Sequence, residues 1–354
     1  MQTTKALQDM MNSILQAIKW SDSTLRLLDQ RRLPHTESWL EYGDAPGVAA
    51  AICDMVVRGA PAIGITAAYA VVLSALQHRA AARDNWRDLL QQDIEVLAAA
   101  RPTAVNLVWA LQRMQQCLAE AGDDPTWALL DEAKRIHQAD IDANVSMGAH
   151  GASLINKGES VLTYCNTGSL ATGGYGTALG VVRSAWMAGK LNRVVAGETR
   201  PWLQAARLTA WELTHDDIPL TLITDNAAAF LMQQQQVQWV ITGADRVAAN
   251  GDVINKIGTY QLAVACRHHG VRMMVAAPHS TVDLDMPDGL QVPIEQRAES
   301  EVLELAGQRI AASGARAWNP AFDVTPAGLV DYLVTESGVI EAPDRDKLAA
   351  LRGE

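Results

Sequence analysis

The sequence predicts an α/β protein. A Rossmann-like parallel sheet forms its C-terminal domain, behind a smaller N-terminal domain of helices with a short antiparallel sheet. Three observations lead there. From Val161 onward, short apolar runs alternate with helical stretches, the rhythm of a parallel sheet. Before that point the chain reads as short strands followed by Ala-rich helices that end at Gly or Pro. With 354 residues, 49% of them hydrophobic, the chain can bury two cores.

The elements follow in order. Leu25–Asp29 and Ser38–Glu41, with a turn near Leu33-Pro34, read as short antiparallel strands. Gly47 to about Glu120 is helical, broken at Gly59-Ala60-Pro61 and at Arg101-Pro102. A helical segment at about 124–156 bridges the halves, so the domains are expected at 1–125 and 126–354. Five parallel strands then follow: Val161–Cys165, Arg193–Gly197, Leu220–Thr224, Trp239–Gly243 and Arg272–Ala276. Ligands of such sheets bind beyond the carboxyl ends of the strands, where Cys165, Glu198, Asp225 and Asp245 fall.

Composition narrows the function. The net charge is -11 and no Lys/Arg cluster appears, so no nucleic-acid partner is expected. A small anion needs only a few local donors and stays open. The four cysteines are far apart with no Cys-x-x-Cys pair, which argues against a zinc knuckle and a disulfide framework. The first twenty residues lack the apolar core and cleavage site of a signal peptide. The most apolar window, Ala67–Leu76, reads as too short to span a bilayer, so a cytoplasmic chain with no membrane contact is expected.

Several runs admit both a chemical and a plain structural reading. In Arg58-Gly-Ala-Pro-Ala-Ile-Gly64 the first-turn N–H groups and Arg58 could hold a phosphate, or this is an ordinary helix start. Tyr164–Gly180 is a strand, a Gly/Ser/Thr-rich loop and a helix, yet neither a dinucleotide fingerprint nor a P-loop. It sets Cys165 at the sheet's mouth, either as a thiol tuned by helix dipoles or as a buried apolar cysteine. Asp245 follows an apolar strand, where burial would raise its pKa toward acid–base use. Alternatively it pairs with Arg246 or caps a turn. Asn255 and Lys256 are expected to open a helix facing the same cleft. Glu198 and Arg200 read as an ion pair or a site edge, and Gln204 suits a sugar hydroxyl. His268-His269 reads as a surface pair and Gln233–Gln236 as a solvated face.

Together these runs resemble the methylthioribose-1-phosphate isomerase family. The matching runs are Leu28–Pro34, Arg58–Gly64, Arg101–Leu107, Cys165–Gly180, Glu198–Pro201 with Arg207–Leu213, Gly243–Gly258 and Asn319–Pro326. Seven runs in order span most of the chain. Ala205, where the pattern has glycine, and Gln296, where it has glutamate, depart from it. The resemblance implies Cys165 and Asp245 as the catalytic pair and substrate contacts from Arg58, Gly59, Ala60, Arg101, Gln204, Asn255 and Lys256. It also implies a sugar-phosphate substrate, a homodimer, and neither metal nor cofactor. The wider family includes ribose-1,5-bisphosphate isomerases and non-catalytic initiation factor 2B regulatory subunits. Those subunits are not expected to keep both Cys165 and Asp245, and the Leu28–Pro34 run is closer to the methylthioribose enzymes.

Overall fold

The computed structural model describes residues 15–81, 84–101 and 104–353. Most of the N-terminal stretch read for a leader lies outside these residues, as do Pro102 and Thr103. The chain forms two compact units. One holds the described residues up to Ser146 together with Thr167–Gly180; the other holds Met147–Asn166 and the chain from Val181 on.

The first unit opens with an antiparallel meander, β1 (Ile18–Ser21), β2 (Thr24–Leu28) and β3 (Trp39–Tyr42). Asp22 and Ser23 both take positive φ, as a two-residue hairpin turn requires. Leu25 and Leu27 then face the core on alternate positions of β2. Helices α1 (Ala45–Cys53), α2 (Ala60–Ala80), α3 (Trp86–Ala100) and α4 (Val105–Glu120) follow. Asp44 caps α1 by accepting from the Gly47 N–H at 2.7 Å. The expected bridging helix is α5, Thr126–Leu154, and the division between the units falls inside it.

Helix α2 corrects one expectation. At 21 residues with mean hydropathy 1.5, it is long and apolar enough to cross a membrane. Its apolar window is 83% buried inside the protein, however, which makes it the central helix of the first core.

The second unit carries a seven-stranded sheet. Its strands are β4 (Glu159–Thr163), β5 (Leu191–Gly197), β6 (Leu220–Ile223), β7 (Trp239–Thr242), β10 (Arg272–Ala276), β15 (Tyr332–Thr335) and β16 (Gly338–Glu341), in the order β16-β15-β10-β7-β4-β5-β6. All five expected strands are present and parallel; β15 extends the parallel set, and β16 returns antiparallel at the edge. The chain lays β5 and β6 on one side of β4, then crosses to place β7 and β10 on the other. The strand order therefore reverses between β4 and β7, the point where open α/β sheets bind ligands. The central strands are buried on both faces, so their sequences are continuous apolar runs. A second sheet, in the order β11-β8-β9-β14, comprises β8 (Arg246–Ala248), β9 (Val253–Lys256), β11 (Val282–Asp283) and β14 (Phe322–Thr325). The short pair β12 (Glu304–Leu305) and β13 (Gln308–Arg309) stands apart.

Candidate active site

In the second unit, Cys165 lies just past β4 and Asp245 just past β7, neighbouring parallel strands about 4.8 Å apart. Thr163 stitches the two together, its hydroxyl donating to the Ile241 carbonyl at 2.9 Å. Cys165 is buried at 3% exposure with φ +60, a left-handed conformation that costs a non-glycine residue about 1–3 kcal/mol. Its N–H donates to the Thr199 hydroxyl oxygen at 2.8 Å, and its carbonyl accepts from the Thr209 hydroxyl at 2.7 Å. The α-helix after it, α6 (Ala178–Met187), begins only at Ala178, so Cys165 does not sit at an α-helix N-terminus as expected.

Asp245 is half-buried, and its N–H donates to the Ile254 carbonyl at 2.9 Å, which sets it beside Asn255. The neighbouring Arg246 is engaged by Asp283 at 3.1 Å. Asn255 and Lys256 do not open a helix: they end β9, and the next helix, Thr259–His269, starts after Gly258. The overlooked signal is Asn250-Gly251, a hairpin turn that pairs β8 with β9. The buried Asn255 amide donates to the Thr259 hydroxyl oxygen at 3.0 Å. The Lys256 ammonium bonds the Ala321 carbonyl at 2.9 Å and lies 4.5 Å from the Phe322 ring centre. Tyr164 ties this segment to Cys165, since its hydroxyl donates to the Ile257 carbonyl at 3.0 Å. A Cβ on Gly258, whose φ is +103, would lie 2.4 Å from that hydroxyl oxygen.

Gln204 is buried and leads into a π-helical turn, Ala205–Thr209, the kind of helix insertion that recurs at functional sites. Among the described residues its Oε1 has no hydrogen-bond partner, which leaves an acceptor for a polar ligand. In the second unit, Cys165, Gln204 and Asp245 thus follow the carboxyl ends of β4, β5 and β7, and the bond from Asp245 to Ile254 links Asp245 to the strand that carries Asn255 and Lys256.

The remaining expected residues belong to the first unit. Gly59 is the N-cap of α2, with φ +100 and Ala60 following, and Arg101 ends α3. Two contacts hold these segments near each other. The Cys53 thiol donates to the Ala100 carbonyl at 3.2 Å, and a Cβ on Gly64 would lie 2.6 Å from the Asn106 carbonyl oxygen. The glycine-rich loop seats against the start of α2: a Cβ on Gly59 would come within 2.6 Å of the Ala171 Cα, Cβ and O. The loop is pinned from three sides. The Gln30 amide donates to the Leu170 carbonyl at 2.7 Å, Asp140 accepts from the Gly173 N–H at 2.7 Å, and Asn144 donates to the Gly174 carbonyl at 3.1 Å. His137 meets the Gly173 carbonyl at 3.0 Å and Tyr69 at 3.2 Å. Burial lowers the His137 pKa below its ordinary value, outweighing the Gly173 bond. The neutral ring thus carries its proton on Nε2.

The structure gives three more groups roles that the sequence reading did not assign. Asp225 accepts from the Thr199 and Arg200 N–H groups, both at 2.7 Å, and so shapes the loop after β5. Arg200 directs its guanidinium to the carbonyls of Pro201, Glu301 and Val302. Asp323 pairs with Asn255 across β14 and β9 and accepts from the Gly258 and Tyr260 N–H groups. Burial pushes its carboxyl up to about 6, against those two bonds and Lys256. Its only sequence signal was its place in the Asn319–Pro326 run. Among the described residues, no three His, Cys, Asp or Glu side chains gather in a way that could hold a metal ion.

Residues 56–342 match the model of the Initiation factor 2 subunit family. A methylthioribose-1-phosphate isomerase from Thioalkalivibrio sulfidiphilus is 59% identical over 97% of this chain and 98% of its own. One from Azotobacter vinelandii is 57% identical over 95% of each. Among solved structures, the 5-methylthioribose 1-phosphate isomerase of Pyrococcus horikoshii OT3 superposes with TM-score 0.88 at 40% identity, covering 96% of both chains. A structure described as translation initiation factor eIF-2B, subunit delta, from A. fulgidus gives TM-score 0.83 at 41% identity over 95% of this chain and 99% of that one. The chain therefore belongs to the Initiation factor 2 subunit family, within its methylthioribose-1-phosphate isomerase group.

Proposed function

We propose that this chain is an aldose–ketose isomerase that converts 5-methylthioribose 1-phosphate to 5-methylthioribulose 1-phosphate in methionine salvage. The observation that carries the reading is the position of Cys165 and Asp245, each just past one of the two strands between which the sheet order reverses. The near full-length relatives at 57–59% identity support it.

The substrate sets the chemical problem. Its anomeric carbon carries a phosphate ester, so the sugar cannot open to a free aldehyde. The bond from C1 to the ring oxygen must break while hydrogen moves from C2 to C1 and the C2 hydroxyl becomes a carbonyl. Asp245 donates a proton to the ring oxygen and takes one from the C2 hydroxyl. Cys165 takes the C2 hydrogen as a proton and returns it to C1, or it stabilises a direct hydride shift. Deuterium at C2 tests the first route: any loss of label to solvent requires a thiol-borne proton, whereas a hydride shift always keeps the label on C1. Arg58, Arg101 and the Gly59 and Ala60 N–H groups of the first unit are the donors suited to the substrate's anionic end, and in the second unit Gln204, Asn255 and Lys256 are the polar groups suited to its hydroxyls. The reading includes a cytoplasmic homodimer, for which light scattering on purified protein is the check.

The A. fulgidus structure favours one second reading, a regulatory subunit without turnover. Purified protein given methylthioribose 1-phosphate decides: ketose product supports the isomerase, and its absence from folded protein supports the subunit. Higher catalytic efficiency on ribose 1,5-bisphosphate would move the assignment within the family.

A further inference from the structure

The run Arg207–Leu213 contains Thr209 and Glu212, which have no part in the chemistry above. Both are fully buried, and both lead back to Cys165. Thr209 sits in the π-helical turn, where its hydroxyl donates to the Cys165 carbonyl at 2.7 Å and accepts from the Asn166 amide at 3.3 Å. The Asn166 amide also donates to Glu212 at 2.8 Å. Glu212 in turn pairs with the buried Arg183 at 2.9 Å, and Arg183 holds Asp216 at 2.6 Å. On the other side, the Thr199 hydroxyl accepts the Cys165 N–H and donates to the Gly197 carbonyl at 3.0 Å. Both peptide groups that flank the strained Cys165 backbone are thereby gripped by threonine hydroxyls.

We propose that Thr199 and Thr209 are positioning residues that hold Cys165 in its left-handed conformation and so aim its thiol, with the buried Arg183–Glu212 pair anchoring Thr209 through Asn166. A left-handed cysteine persists only where its surroundings over-determine it. Relaxation toward an ordinary strand or helical φ would swing the Cβ–Sγ bond away from its present direction. The inference rests on Cys165 being the catalytic thiol.

The test compares Thr209→Val and Thr199→Val, which keep shape and remove the hydroxyl, with Thr209→Ser and Thr199→Ser, which keep the hydroxyl and remove a methyl. Each is measured in the full-length chain with methylthioribose 1-phosphate, alongside Cys165→Ser. The valine variants are expected to lose about 10- to 100-fold in kcat, the scale of one lost bond to a buried group, with KM within about threefold. The serine variants should stay within about threefold of wild type. A threonine that only fills space would show the reverse order, serine worse than valine, and that result overturns the proposal. Wild-type kcat in folded Thr209→Val, with Cys165→Ser inactive, overturns it and leaves the catalytic reading standing. Wild-type turnover in Cys165→Ser removes the catalytic reading, and the inference with it. Should a valine variant fail to fold by circular dichroism, the serine variant decides alone, since loss of more than tenfold there is incompatible with a hydroxyl-based grip.

Discussion

Replacing Gly59 with alanine tests how the start of α2 is built. The added methyl meets three atoms of Ala171, two of them backbone, at 2.6 Å each. Restoring an ordinary 3.4 Å contact needs a retreat of about 0.8 Å (3.4 less 2.6), and overpacking of that kind costs about 1–3 kcal/mol. Ala171 cannot retreat freely. Its N–H is bonded to Gly168 at 3.0 Å, and the preceding carbonyl is held by Gln30. The backbone adds its own term: φ +100 with ψ 134 is close to a glycine-only region and costs an L residue about 1–3 kcal/mol. Together Gly59→Ala should lose about 2–6 kcal/mol, read as the shift in urea midpoint multiplied by the m-value. Adding Ala171→Gly removes one of the three contacts and should recover only part of the loss, on the order of 1 kcal/mol. The same variant should raise KM about tenfold, because the Gly59 and Ala60 N–H groups move with the helix start. A loss under about 1 kcal/mol for Gly59→Ala would refute this account of the loop's seat.

Three further outcomes are expected. Cys165→Ser and Asp245→Asn should each lower kcat by about two orders of magnitude with an unchanged circular dichroism spectrum; near-normal turnover in either removes that residue from the mechanism. Arg58→Met should raise KM for the sugar phosphate by about 10- to 100-fold, with a smaller change in kcat, as expected for a charge-assisted bond to phosphate; an unchanged KM places the phosphate elsewhere. Asp323 carries the pH dependence. Its folded carboxyl titrates near 6 against 3.8 for the free group, so the folded chain binds more protons between those values. Its stabilising contribution is complete below the unfolded value and is lost as pH rises through 6, roughly 3 kcal/mol at most. The stability of wild type minus that of Asp323→Asn should therefore fall from pH 5 to pH 7.5, and an equal difference at both pH values would exclude this titration.

Much of this protein was determined by sequence alone. Parallel strands buried on both faces must be continuous apolar runs, so β4, β7, β10 and most of β5 were legible, as was the half-exposed edge strand β6 from its short β-branched run. The rule for carboxyl ends then pointed to Cys165, Glu198, Asp225 and Asp245, from which the family resemblance picked Cys165 and Asp245. Strands β2 and β3 of the meander were legible from alternation, though β1 was not, and the glycine-rich loop was legible from its composition. Tertiary structure decided what depends on partners distant in sequence. Strand order is one case: that β7 crosses back beside β4, so that residues 165 and 245 follow adjacent strands, is not encoded in any local pattern. The strand that ends in Asn255 and Lys256 is another, because its pairing with β14 outweighs a local reading as a helix start. Helix α2 is a third: its length and apolarity fit a membrane span, and only its burial at 83% shows that surrounding helices supply its apolar partner. The same holds for the grip on Cys165. Thr199 and Thr209 are ordinary loop and helix residues in sequence. They gain a role only where the fold closes them on one strained peptide, because a hydrogen bond acts over about 3 Å whatever the separation along the chain.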